Sequence, residues 1–215
     1  MKAVVSAVAL AAATVVAAPA HAGATLPASR MTPGMMLRDD TVNRHFGFLI
    51  RPDVGAGYMS SSMGDTTLSG GAGMFGVVIG GALSENVILG AHVYDGVIGN
   101  PNAISPSGSG TISNTQATLV GIGPNLTYYF MPVNMYASAT AAFTRINLTA
   151  GNFTGDSAWG LGTRLSLGKE WWVSDHWGVG LAGHFSYSAN KSDTTDTAQM
   201  INTWGVGLSF SATYN

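Results

Sequence analysis

The carboxy-terminal stretch alternates strictly from Thr203 onward. Trp204, Val206, Leu208, Phe210, Ala212 and Tyr214 share one parity, and Thr203, Gly205, Gly207, Ser209, Ser211 and Thr213 share the other. A strand points successive side chains to opposite faces, so this one is apolar on one side and small and polar on the other. Apolar outside and polar inside is the pattern of a β-strand that crosses a bilayer.

Seven further segments carry strand character, at 45–59, 70–83, 86–96, 115–130, 135–148, 158–169 and 176–188. The clearest are the sixth and seventh. In the sixth, Trp159, Leu161, Leu165 and Leu167 oppose Gly160, Gly162, Arg164, Ser166 and Gly168. In the seventh, Trp177, Val179, Leu181, Phe185 and Tyr187 oppose Gly178, Gly180, Ala182, His184 and Ser186. Parity also sets Arg51 and Asp53 against Phe48, Ile50 and Val54, and sets His92 against Leu89, Ala91 and Val93. In 115–130, Val120, Ile122, Pro124, Leu126 and Tyr128 are expected outside. Segments 70–83 and 135–148 have faces too alike to assign. Pro52 lacks a ladder donor, which implies a bulge in the first strand.

The connections alternate in length. Those near Glu85, at 131–134 and around 173–175 are short; those at 60–69, 97–114, 149–157 and 189–199 are longer and rich in Ser, Thr, Asn, Gly and Asp. Short periplasmic turns and long external loops give an even-stranded barrel with both ends on the periplasmic side. Tyr128, Tyr136, Trp171, Trp172, Trp177 and Tyr214 cluster near the short turns, where amphipathic rings suit the headgroup level.

Upstream, residues 1–22 read as a cleaved signal peptide: a positive Met1–Lys2, an Ala-rich apolar run, and an A-x-A site ending at Ala22. Residues 23–44 form a polar leader with Pro27, Pro33, Arg30, Arg38, Asp39 and Asp40, expected in the periplasm. The barrel is expected over 45–215. Charged residues are only 9% of the chain, far below the roughly 25% of soluble proteins. The formal charge of −2 points away from a nucleic-acid partner. With no cysteine, disulfides and thiolate metal sites are excluded.

These features resemble the small eight-stranded outer-membrane β-barrels of Gram-negative bacteria, the porin-like and surface-antigen-like group. The resemblance rests on the signal peptide, the strand–turn pattern, the Glu170–Gly183 hairpin EWWVSDHWGVGLAG and the last strand. It implies an all-β, eight-stranded, antiparallel up-and-down transmembrane barrel. It also implies the bacterial outer membrane, contact with its lipid, and the barrel-assembly machinery as a partner during biogenesis. Families of this group usually end in an aromatic residue; here Tyr214 is penultimate and Asn215 is last. A monomer is expected.

Candidate chemistry is sparse. GAGMFG (Gly71, Gly73, Gly76) and GVGLAG (Gly178, Gly180, Gly183) match a dinucleotide fingerprint. They lack the following helix such a site needs, so they read as glycines along a lumen-facing row. His184 and Ser186 resemble the His-x-Ser of lipid A deacylases, but no Glu follows Glu170 and parity turns both inward, away from lipid. No metal site and no cofactor are expected: the five His have no ligand spacing, and Met31, Met35 and Met36 show no convergence. Lumen-lining candidates are Arg51, Asp53, His92, Arg164, His184 and Ser186. Lipid-facing candidates are Trp159, Leu161, Leu165, Val179, Leu181, Phe185, Trp204, Val206, Leu208 and Phe210. The leading functional expectation is a structural scaffold displaying external loops, not an enzyme. The alternatives are a narrow channel or small-molecule carrier, with a lipid-modifying enzyme as a third class.

Overall fold

A sheet closed on itself accounts for nearly all of the described residues in this computed structural model, which describes His45, residues 47–193 and residues 199–215. The expected signal peptide (1–22) and leader (23–44) lie outside the described residues. In chain order the strands are β1 (Phe48–Met63), β2 (Thr66–Ser84), β3 (Val87–Gly99), β4 (Asn102–Ser105), β5 (Gly108–Thr111), β6 (Thr115–Phe130), β7 (Met135–Ala150), β8 (Phe153–Asp156), β9 (Gly160–Trp172), β10 (Trp177–Lys191) and β11 (Met200–Tyr214). Eight of them close the barrel in the order β1, β2, β3, β6, β7, β9, β10, β11, and β11 pairs back onto β1. The short β4 pairs with β2 and with β5, and β8 folds back on β7, all at the end opposite the short turns.

The register fixes the bore. From Leu49 the cross-strand partners run through Gly80, Gly90, Asn125, Thr140, Arg164, Ser186 and Gly205, and return to β1 at Met59, ten residues further on. That offset is the shear of the barrel, and it tilts the strands. Eight tilted strands enclose an interior just wide enough for side chains to fill.

Parity holds on every barrel strand. Leu161, Leu165, Val179, Leu181, Phe185, Trp204, Val206, Leu208 and Phe210 are exposed on the outer face. Trp159 is exposed too, but it precedes β9 instead of lying in a strand. The two ambiguous strands resolve. On β2, Ala72, Met74 and Val78 are buried while Phe75, Ile79 and Leu83 face out. On β7, Tyr136, Ser138, Thr140 and Ala142 are buried while Met135 and Phe143 face out. Tyr128, Phe130, Trp171, Trp177 and Tyr214 ring the end with the short turns, and Tyr58, Tyr187 and Trp204 sit toward the other end. There the Tyr58 and Trp204 rings lie 5.7 Å apart.

Four expectations need correction. Residues 60–69 are not a long loop: β1 and β2 run on to a tight turn at Gly64 and Asp65, where Gly64 takes a φ of +55°. Hydroxyl pairs stitch those polar strand ends together, Ser61 to Thr203 at 2.8 Å and Ser62 to Thr67 at 2.9 Å. Pro52 makes no bulge. The β1–β2 register is continuous through it, and the β1–β11 ladder only skips Arg51 and Pro52 before resuming in the same register. The glycine motifs do not lie along one row. Gly71 and Gly73 alternate with the buried Ala72 and Met74, so they face out, whereas Gly76 is buried. Finally, Tyr136 and Trp172 are not interface aromatics. Both fall on the inward parity of their strands; Tyr136 is buried, and the buried indole nitrogen of Trp172 points away from solvent.

Two inward glycines are sterically required. A Cβ on Gly121 would lie 2.4 Å from the Tyr94 ring, and one on Gly168 would lie 2.5 Å from the Tyr136 ring. Each tyrosine is the direct cross-strand partner of its glycine. The ring of one strand therefore occupies the notch of the next. Gly121→Val should cost about 1–3 kcal/mol through overpacking, measured by urea titration in lipid bilayers. Adding Tyr94→Ala should return part of that loss, because the clash has been removed. Simple additivity of the two changes would show that the ring does not need the notch. On the outer face, Leu208→Arg should cost about 2–4 kcal/mol near the bilayer midplane in the same titration.

Candidate functional site

The interior is layered. Nearest the short turns lies a charged and aromatic layer. Arg51 on β1 and Glu170 on β9 are each almost wholly buried, with Nη1 and Oε1 4.0 Å apart. Tyr129 on β6 bridges them: Arg51 Nη1 donates to its hydroxyl at 3.2 Å, and that hydroxyl donates to Glu170 Oε1 at 3.3 Å. Thr213 donates to the same carboxylate oxygen at 2.7 Å. The guanidinium lies 4.1 Å from the centre of the Tyr136 ring, within the range of a cation–π contact. Leu49, Val78 and Ile88 pack among these groups.

The middle layer holds a second ion pair. Arg164 Nη2 donates to Asp53 Oδ1 at 2.9 Å and to His184 Nδ1 at 3.3 Å. On β3, His92 Nδ1 lies 2.8 Å from Thr140 Oγ1. Asn125 Nδ2 donates to Ser138 Oγ at 2.7 Å and Thr140 Oγ1 at 2.9 Å. Ser186 lies on the same inward row of β10 as His184, paired across to Arg164. Two cations thus face two carboxylates inside the barrel, as buried charge requires. The outermost layer is apolar: Met59, Ala72, Met74, Ile98, Ala117, Leu119 and Ile146. A void of about 10 Å³ beside Met74, Leu119, Arg164 and His184 has room for roughly one water.

All six lumen candidates from the sequence therefore lie inside. The structure joins Asp53, Arg164 and His184 into one cluster, sets His92 Nε2 beside Asp53 over Gly76 while its Nδ1 meets Thr140, and gives Arg51 a separate partner. Sequence reading missed Glu170 and Tyr129; Tyr94 shares the inward parity of His92 in the sequence but is not among the candidates. Parity reaches all three: Glu170 continues the Arg164, Ser166, Gly168 row past the expected strand end, Tyr129 alternates with Tyr128, and Tyr94 follows His92. Among the described residues no group of three His, Asp or Glu side chains is placed to hold a metal ion.

The mouth at the short-turn end is stopped by His45. It is fully buried, its ring stacks on Tyr129 with centroids 3.3 Å apart, and its Nε2–H donates to Asn134 Oδ1 at 2.7 Å. Trp172 closes the other side, its ring 5.1 Å away. Burial holds the His45 pKa below its ordinary value, against the Asn134 hydrogen bond and the Glu170 charge, which raise it.

No protein-family model matches the chain, and no curated protein matches it. Among solved structures, Neisserial surface protein A superposes with a TM-score of 0.51 at 15% identity, over 78% of this chain and 96% of that one. The fold is that of a small outer-membrane β-barrel. The outer membrane protein AlkL also matches, at TM-score 0.45 and 13% identity over 90% of this chain and 96% of that one. So does OprG from Pseudomonas aeruginosa, at 0.44 and 12% over 80% and 97%. Likeness at these identities carries architecture alone, because one fold hosts many activities.

Two outcomes follow for the lower layers. Glu170→Gln leaves Arg51 buried without its counter-charge and should cost on the order of 3–5 kcal/mol in equilibrium unfolding. Replacing both residues by Met should cost clearly less than the sum of the single changes. For His45, a folded-state pKa below the unfolded value gives stability that is complete above roughly pH 6.5 and falls as the pH drops toward the lowered value. His45→Gln should flatten that part of the stability–pH curve; an unchanged curve would place the loss on another group.

Proposed function

We propose that the chain is a monomeric scaffold of the bacterial outer membrane whose lumen is closed, and that it acts through its external end. The observation that carries this reading is the packed interior. Three tyrosines, two methionines and two ion pairs fill the bore from the His45 stopper to the apolar layer. A bore of eight strands has little room beyond such side chains. The inward Gly, Ala and Ser residues, which would otherwise leave space for a narrow channel, are partly covered by the rings of Tyr94 and Tyr136.

An enzymatic reading is not favoured. His184 Nδ1 accepts a hydrogen bond from Arg164, so it faces a cation where a general base would be oriented by a carboxylate. Both His184 and Ser186 lie inside the barrel wall, out of reach of membrane lipid.

Conductance in a planar bilayer tests the proposal. The refolded full chain, checked by heat-modifiable migration, should give no discrete steps. Tyr129→Ala combined with Met74→Ala should create them by removing one plug from each half of the bore. Steps from the unaltered protein would replace the closed scaffold with a channel.

A further inference from the structure

The external mouth carries an apolar cup that neither the barrel wall nor the lumen network uses. Its volume is about 390 Å³, within the roughly 300–1,000 Å³ of small-molecule sites. The buried Ile146 and partly buried Leu148 and Ile201 line it together with the exposed Met63 and Phe153, and Asp193 stands at its rim. This lining is continuous with the apolar lumen layer, against which Leu148 and Ile201 pack.

The cup stands in water, not in lipid. On the outward face of the same arm, Arg145 Nη2 and Asp156 Oδ2 form an exposed ion pair at 2.9 Å, a pairing suited to the aqueous side of the apolar belt. Leu148 and Phe153 lie beyond Arg145 toward the tip of that arm, so lipid does not cover them. Phe153 is 63% exposed, and its ring folds over Gly155, 3.1 Å from where a Cβ would sit. Apolar side chains gathered in a concave, water-facing site gain by burying an apolar guest. The rim charge selects among guests. Asp156 turns outward, where Arg145 and Asn147 take both its oxygens, so no cation is left free on that arm and the Asp193 carboxylate is the charge left at the rim.

We infer that this cup is a binding site for a small, uncharged apolar molecule taken from the external medium, and that it disfavours anionic amphiphiles. The site goes beyond the closed-scaffold reading and does not depend on it, since of the bore-filling layers only Ile146 reaches the cup.

Methyl NMR on the full chain in lipid nanodiscs tests this, with N-phenyl-1-naphthylamine as the uncharged probe and 8-anilinonaphthalene-1-sulfonate as its anionic counterpart. Ile146, Leu148 and Ile201 methyls should shift saturably with the uncharged dye, while lipid-facing Leu165 and Leu208 stay fixed. The anionic dye should bind at least tenfold more weakly. Leu148→Glu should abolish the saturable shifts while heat-modifiable migration persists; should that variant fail to fold, Phe153→Ser, on the exposed wall, serves the same purpose. Equal shifts at Leu165 and Leu208 would mean partition into the bilayer and would overturn the site. So would no shifts at all, equal affinity for the anion, or a folded variant that binds unchanged.

Discussion

Within hydrocarbon no water is available to a backbone N–H or C=O, so a spanning sheet must pair every strand with two others. Here that condition is met by the ladder between β1 and β11, which joins the first and last strands across the whole chain. Everything inside follows from how that ladder closes. Its register sets a ten-residue offset around the wall. The offset and the strand number together leave a bore that side chains fill.

A bore filled by side chains must solve two packing problems at once. Charges there need partners, and Arg51–Glu170 and Arg164–Asp53 supply them across the lumen, between strands far apart in sequence. Volume must also match, and the Tyr94 and Tyr136 rings fit because one neighbouring strand carries glycine opposite each. The result is graded: aromatic and charged at the end with short turns, polar in the middle, apolar toward the external loops. An apolar upper layer is an unusual lining for a barrel whose interior is generally polar. It continues into the cup at the external mouth.

Much of this was legible in the sequence, and the failures have physical causes. The alternation of β9, β10 and β11 is strong because bulky outward residues oppose small inward ones. On β2 the signal collapses because Gly71 and Gly73 face out, where small residues imitate an inner face. On β7 the outward Ala137, Ala139 and Ala141 do the same. Tyr136 and Trp172 are ambiguous by residue type, because an aromatic near a turn suits either the headgroups or the plug; their parity decides for the plug. Residues 60–69 read as loop because strands extending past the lipid need no apolar face, so their polar composition hides their pairing. The partners of Arg51 and Arg164 could not be read at all, since cross-lumen neighbours depend on the shear of the closed wall.

The tyrosine-in-glycine notches bear on how the wall finds its alignment. Adjacent strands can slide past one another in steps of two residues without exchanging inner and outer faces, and backbone ladders alone resist such sliding poorly. For β7 against β9, a two-residue slip would set Tyr136 opposite Ser166 or Glu170 in place of Gly168. Either places a side chain where the ring must lie. The notch therefore works as a key cut into the strand edge, and it rejects mispaired alignments that hydrophobic patterning by itself would accept.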